Sequence, residues 1–251
     1  MNIYLMIQKK NKKTIDLINK YNLKHDENSA MALIINSTSL ELYDRSTPIK
    51  KPIKVDFTSK KNNYRCLNLK KNELLYKAVG IKKNYLPSIL DATAGLGTDS
   101  FLLSSFGCFV IMIEKHPVIA ALLRDGLERG YKDKKIGNWL KKRLHLIFND
   151  SLNMLKIPIL QPDVIYLDPM YPIRKKKSSP KKEFQFLRKL INSDYQPEKL
   201  LNIAKKLAKK RIVVKRPSYA SPLSKDKVDF VISNKSHRFD IYLPLKKNRS
   251  T

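Results

Sequence analysis

The chain has 251 residues, 42% of them hydrophobic with only 7 Gly and 13 Pro, enough for one α/β domain with an extension or two small domains and too apolar for wholesale disorder. Lys and Arg number 51 against 22 acidic residues, a formal net charge of +29 that suits a phosphate backbone; 40 of the 51 are lysine, an excess that an A- and T-rich genome also produces, so charge supports a nucleic-acid partner without establishing one. No apolar run is long enough to span a bilayer, and Cys66 and Cys108 have neither metal nor disulfide spacing, so the expectation is no membrane, no metal and a reducing cytoplasm.

No internal repeat points to a solenoid. Residues 1–85 read as a small N-terminal α/β extension. Met1 to Gln8 is apolar and then turns into lysines, the reverse of a signal peptide, and predicts a first strand over Ile3 to Gln8. Lys9 to Tyr21 carries Ile15 and Ile18, with Leu17 beside them, as a helix face. Ala32 to Asn36 and Leu40 to Tyr43 read as short strands split by Ser37-Thr38-Ser39. Lys50 to Asn72 is lysine-rich and lacks periodicity, which predicts a mobile basic loop; Glu73 to Val79 reads as a short helix.

From Leu86 the pattern alternates. Ser88 to Asp91 reads as a strand, Thr98 to Phe106 as a helix and Cys108 to Glu114 as a strand. Pro117 to Arg129 is a helix with proline at its first position, where a missing N–H costs nothing. Leu144 to Phe148 and Val164 to Leu167 read as apolar strands buried on both faces. Pro197 to Lys210 is a helix, Ile212 to Lys215 a strand, and Phe230 to Ser233 with Phe239 to Leu243 a hairpin around Asn234-Lys235-Ser236. This alternation predicts a doubly wound, mostly parallel sheet over residues 86–251, closed by a C-terminal antiparallel hairpin. In such sheets ligands sit at the carboxyl ends of the strands.

The unusual residues fall at those ends. Asp91-Ala92-Thr93-Ala94-Gly95-Leu96-Gly97 is a strand end and tight turn before a helix, with Gly95 and Gly97 allowing close backbone approach to a ligand. Glu114 stands 23 residues after Asp91, where a carboxylate accepts both hydroxyls of a nucleoside ribose. Asp150-Ser151 follows the next strand; its carboxylate can receive an adenine amine or cap the following helix. Asp168-Pro169-Met170-Tyr171-Pro172 ends an apolar strand. Its prolines donate no hydrogen bonds, so carbonyls and the Asp168 carboxylate are left as acceptors, and Tyr171 offers a face for stacking on a base. That arrangement suits an exocyclic base amine presented to an electrophilic methyl, a need no nicotinamide dehydrogenase has.

Asp-Pro-Met-Tyr resembles the Asp/Asn-Pro-Pro-Tyr loop of class I methyltransferases that modify base amines. With Leu90-Asp91-Ala92-Thr93-Ala94-Gly95-Leu96-Gly97, Lys215-Arg216-Pro217 and His237-Arg238-Phe239-Asp240-Ile241-Tyr242, the chain closely resembles the RsmJ family, the bacterial 16S ribosomal RNA guanine-N2 methyltransferases. The likeness runs from His25-Asp26-Glu27 and Met31-Ala32-Leu33 through Gly126-Leu127-Glu128-Arg129-Gly130-Tyr131 to the hairpin. It implies a Rossmann-like class I fold, S-adenosylmethionine as cofactor, and 16S ribosomal RNA or the small subunit as partner. It also implies cofactor contacts at Thr98, Asp99, Glu114, Lys115, Asp150, Ser151 and Asp168. The chain departs from the family pattern where Arg is usual at Thr98 and Lys115, Ser at Asp150 and Phe at Tyr171.

Arg174, Lys175 and Lys176, with Lys177, Lys181 and Lys182, follow the catalytic loop, and Lys215, Arg216, Lys235 and Arg238 end nearby strands. Together they read as a phosphate clamp beside the methyl donor; His237 is left without a role. Two rivals stand beside this reading: an adenine or cytosine amine DNA methyltransferase, and a noncatalytic RNA-binding ribosome-assembly protein on a degenerate cofactor fold.

Overall fold

The computed structural model describes residues 1–8, 10–46, 51–68, 73–155, 161–169, 190 and 196–245. The N-terminal sheet has the order β2-β1-β3-β4, built from β1 (Asn2–Ile7), β2 (Lys24–His25), β3 (Met31–Ile35) and β4 (Leu40–Asp44). β1 runs parallel to β2 and β3, and β3 pairs antiparallel with β4. Helix α1 (Lys12–Lys20) starts on Asn11, whose side chain accepts the Thr14 amide at 2.9 Å. Its inward stripe is Thr14, Leu17, Ile18 and Tyr21, a spacing of three, four and seven residues; Ile15 lies off that stripe and is 42% exposed, not on the buried face.

The expected basic loop is ordered in its described part. Ile53 makes an antiparallel bridge to Leu42, and Ile53, Val55 and Phe57 are buried. Ser59 then caps helix α2 (Lys60–Leu67) by accepting the Asn62 amide at 3.3 Å. Three alternate apolar residues and an Asp-x-x-Ser cap outweigh the lysines, whose long stems tolerate any surface element. Helix α3 (Leu74–Ala78) leads to the main sheet.

That sheet has seven strands in the order β10-β11-β9-β8-β5-β6-β7. They are β5 (Ile89–Asp91), β6 (Val110–Glu114), β7 (Leu144–Phe148), β8 (Val164–Leu167), β9 (Arg211–Pro217), β10 (Phe230–Ser233) and β11 (His237–Tyr242). The five strands β5 to β9 are mutually parallel; β11 pairs antiparallel with β9 and β10. The helices are α4 (Thr98–Ser105), α5 (Pro117–Tyr131, Pro at its start), α6 (Gly137–Arg143), α7 (Ser151–Met154) and α8 (Pro197–Leu207). Helix α6 was not expected, and α8 stops at Leu207 because Ala208 turns extended. β8 is buried throughout, as its sequence suggests, but β7 is the sheet edge, with Phe148 37% exposed and packed on Tyr21 (ring centroids 5.0 Å).

One apolar cluster runs from Ile3, Leu33 and Leu42 to Leu102, Val110 and Leu127, so the two sheets share a core. Helix α5 is the seam. Asp125 accepts the Leu40 amide at 3.1 Å and Arg129 Nε at 3.0 Å, Arg129 donates to the Val55 carbonyl, and Lys13 pairs with Glu128 at 3.0 Å. A side chain at Gly126 would strike Val55. The chain reverses its winding between β5 and β8, and this switch point sets the site.

Candidate active site

Four carboxylates and a lysine gather where the parallel strands end. Asp91 closes β5 and is 2% exposed; its Oδ1 accepts the Thr93 amide at 3.0 Å and its Oδ2 the Ser100 hydroxyl at 2.5 Å. Burial pushes its carboxyl up to about 7. It therefore works as the internal brace of the turn. Glu114, at the end of β6 and 8% exposed, accepts the Gly95 amide at 3.0 Å through Oε2 and the His116 amide at 2.7 Å through Oε1. Burial also raises this carboxyl to about 7.

The two glycines differ. Both have positive φ, +54° at Gly95 and +73° at Gly97. At Gly97 an added Cβ would meet Leu123 Cδ2 at 2.8 Å, Met112 Sδ at 3.1 Å and Phe57 Cζ at 3.3 Å. The side-chain direction at Gly97 is thus filled by the core. At Gly95 an added Cβ would find nothing nearer than the Thr93 carbonyl at 4.0 Å, so that backbone borders open space.

Asp168 follows β8, and its amide donates to the Thr93 hydroxyl at 2.6 Å, tying the two loops across the switch point. Its Oδ2 accepts Lys215 Nζ at 3.0 Å; the same ammonium lies 2.6 Å from Asp99 Oδ2, which also accepts the Tyr166 hydroxyl at 2.7 Å. Thus Asp99 and Lys215, expected at the cofactor and on the RNA surface respectively, meet in one network. Burial would raise Asp99, but Lys215 outweighs it and holds that carboxyl low; burial opposes the Lys215 charge, but Asp168 and Asp99 hold it well above the ordinary amine value. Thr98, the first residue of α4, and Lys115 are exposed beside this rim.

Asp150 is the cap of α7, its Oδ1 accepting the Leu152 amide at 2.8 Å. The Ser151 hydroxyl donates to the Ala92 carbonyl at 2.7 Å, so its proton braces the β5 turn. Pro169 lies at the limit of the described loop; Tyr171, Arg174, Lys175 and Lys176 fall outside the described residues, as do Lys177, Lys181 and Lys182.

Two expectations are corrected. Arg216 is 2% exposed, donates to the Ser221 carbonyl, and burial lowers its pKa to about 10, so it cannot clamp phosphate. Arg238 spends its fork on the fully buried Asp240, with Nε at 2.7 Å and Nη2 at 3.1 Å. Their alternation along β9 and β11 turns both inward. Thr93, Ser100 and Tyr166 were not singled out from sequence, although a lone tyrosine in Val-Ile-Tyr-Leu was a usable signal. Among the described residues no group of three or more His, Cys, Asp or Glu could hold a metal, and no helix is long and apolar enough to cross a membrane.

A sheet of this order, with acidic strand ends around a glycine turn, defines a class I S-adenosylmethionine-dependent methyltransferase. The family model described as "Putative SAM-dependent methyltransferase" matches residues 16–244. Ribosomal RNA small subunit methyltransferase J of Buchnera aphidicola subsp. Schizaphis graminum is 74% identical over 248 residues, 98% of this chain and 100% of that protein. Its namesake from Photorhabdus laumondii subsp. laumondii is 48% identical over 227 residues, covering 90% and 92%. The crystal structure of a SAM-dependent methyltransferase from Neisseria gonorrhoeae matches with a TM-score of 0.78 at 30% identity, covering 99% of this chain and 98% of that one. The chain belongs to the ribosomal RNA small subunit methyltransferase J family, and its cofactor is S-adenosylmethionine.

Proposed function

We propose that this protein methylates the exocyclic N2 amine of a guanine in 16S ribosomal RNA. The observation that carries the reading is the Asp168-Pro169 strand end, tied through Thr93 to the Gly95 turn and, through it, to Glu114. The relatives, ribosomal RNA small subunit methyltransferases, support the substrate class.

The residues fit the cofactor. Glu114 already accepts the Gly95 and His116 amides, yet a carboxylate has lone pairs beyond these to offer a ribose hydroxyl. The open side of Gly95 leaves room for a ligand against backbone. In this reading Glu114 and the Gly95 turn hold the nucleoside, Asp150 takes the adenine amine, and Thr98 and Lys115 lie along the rim. S-adenosylmethionine supplies an electrophilic methyl carried on a sulfonium.

The protein's own work is orientation and charge. Asp168, with the Pro169 carbonyl, accepts hydrogen bonds from the guanine amine, directs the nitrogen lone pair outward and takes up the proton that the methylated nitrogen sheds. Tyr171 stacks on the base, which must leave its own stack for the amine to be reached. Arg174, Lys175 and Lys176 hold the RNA backbone. Residues 1–85 serve as an extension braced on the catalytic domain of residues 86–251. A reducing cytoplasm suits the free thiols of Cys66 and Cys108.

The test offers labelled S-adenosylmethionine with small subunits from an unmethylated source, naked 16S RNA and duplex DNA. Label on a single guanine N2 of subunit or RNA is expected. Label on DNA alone overturns the substrate.

A further inference from the structure

The lysine between two carboxylates is unlike the strand-end lysines around it. Lys215 lies on β9, two residues before the strand's end, with Phe239 of β11 opposite it in register. Its side chain is 28% exposed and its ammonium contacts Asp99 on α4 and Asp168, which directly follows the end of the neighbouring strand β8. Asp99 is in turn fixed by the hydroxyl of Tyr166, which is 1% exposed. A buried tyrosine thus holds Asp99, Asp99 holds the lysine, and the lysine holds one oxygen of Asp168. Among the described residues, Oδ1 of Asp168 makes no hydrogen bond. One carboxylate oxygen is occupied and the other is left to meet a substrate.

We propose that Lys215 is a positioning residue for methyl transfer: bridged to Asp99, it fixes Asp168 Oδ2 and presents Oδ1 as a charged, oriented acceptor for the base amine. This rests on the reading that Asp168 receives the amine. An acceptor that must also take up a proton has to be ionised when substrate arrives. Its surroundings work against that. Desolvation at the strand end pushes the Asp168 carboxyl above the ordinary carboxylate range, the Lys215 ammonium opposes this, and the Asp99 charge adds to the rise. Among the described residues, the titratable and charged groups around the network are Arg65 on α2, Asp91 on β5, Asp99 on α4, Tyr166 and Asp168 of β8 and its end, and His237 on β11. Burial and the Lys215 charge both hold His237 below the usual imidazole range, so it adds no positive charge near neutral pH. Among the described residues, Lys215 is thus the counter-charge in direct contact with Asp168.

The test uses full-length protein with 13C-labelled aspartate carboxyls, the Asp168 signal being assigned with Asp168→Asn. Wild type, Lys215→Met, Lys215→Arg, Asp99→Asn and the Lys215→Met/Asp99→Asn double variant are titrated and then assayed for transfer. Circular dichroism and a cooperative melting transition report that each is folded. In Lys215→Met the Asp168 midpoint rises by about one to three pH units, because an opposite charge is lost. kcat falls about 100-fold at neutral pH and the acid limb of the rate profile moves upward with the midpoint, while KM for RNA and its salt dependence hold. Lys215→Arg keeps the midpoint low and most of kcat. Asp99→Asn alone lowers the midpoint, and in the double variant it brings the midpoint part of the way back; the single change decides the matter if Lys215→Met does not fold. An unmoved midpoint overturns the inference even if transfer is lost. A raised KM for RNA with a weaker salt dependence, and no change in the acid limb, assigns Lys215 to the RNA backbone instead and also overturns it. If wild type methylates no ribosomal RNA, the proposed function falls and the titration still decides the role of Lys215.

Discussion

The Glu114 carboxylate accepts the Gly95 amide at 3.0 Å, which makes the acidic end of β6 and the glycine turn after β5 one unit. Burial raises Glu114 from an ordinary 4.5 to about 7, and Asp91 from 3.8 to about 7. The folded protein then holds both protons more tightly than the unfolded chain. Stability from this source is complete below the unfolded values and is lost as pH rises toward 7, by up to about 1.4 kcal/mol per pH unit for each group. Cofactor affinity runs the other way, since ionised Glu114 is the better acceptor for hydroxyls. Melting curves of ligand-free protein should fall from about pH 5 to 7 while calorimetric affinity for S-adenosylhomocysteine climbs. Burial holds His116 down at about 4, which opposes part of the fall, so the comparison is with the variant: Glu114→Gln should flatten both trends, and a variant whose pH trends match wild type would refute the assignment.

The two glycines of the turn make separable predictions. Gly97→Ala places a methyl 2.8 Å from Leu123 Cδ2 at φ +73°, a clash in the core as well as backbone strain. It should cost about 2–5 kcal/mol, the sum of overpacking and a left-handed alanine, and lower the melting temperature. Gly95→Ala meets open space and pays only the strain of φ +54°, about 1–2 kcal/mol. Its methyl instead points where a nucleoside would lie, so binding of S-adenosylhomocysteine should weaken at least about tenfold. Equal losses of stability and equal affinities in the two variants would show that the turn does not divide its work in this way.

Sequence patterns carried the catalytic half of the chain well, because fully buried parallel strands such as Val164–Leu167 are short apolar runs and each is followed by a polar strand end. They misread what tertiary pairing decides. Lysine density hid Ile53, Val55 and Phe57, whose alternation is the signal of a half-buried extended segment. Arg216 and Arg238 looked like surface cations, yet on adjacent antiparallel strands their register turns both toward Asp240. The Asp99–Lys215–Asp168 bridge joins residues 47 and 116 apart in sequence, and no local pattern reports a contact of that kind.

Thr93 is a small residue with a large expected effect. Its hydroxyl oxygen accepts the Asp168 amide at 2.6 Å, so it sets where the catalytic loop leaves β8. Thr93→Val keeps the shape and removes the acceptor, leaving that amide unsatisfied at a cost of about 1–3 kcal/mol. Since the loop then shifts relative to the methyl donor, kcat should drop about 10- to 100-fold with S-adenosylhomocysteine affinity nearly unchanged. Asp168→Ala should remove turnover altogether and retain binding of the cofactor product. Single-turnover assays beside calorimetry separate the two, and full activity in Asp168→Ala would sink its role.

Arg238 tests whether basic residues near the strand ends act on RNA or on the fold. Its two hydrogen bonds to Asp240, which is fully buried, mean that Arg238→Ala strips the carboxylate of both and leaves it only the charge of the neighbouring Arg216 inside the sheet. The expected loss is about 3–5 kcal/mol of stability, read as a lower denaturation midpoint. At temperatures where the variant is folded, its RNA affinity should show the same salt slope as wild type, because no phosphate contact has gone. Lys235, exposed in the neighbouring turn, should behave in the opposite way. Lys235→Ala should leave the denaturation midpoint alone and, if it meets a phosphate, reduce the slope of log affinity against log salt by about 1. A reduced slope in Arg238→Ala without loss of stability would return that residue to the RNA surface.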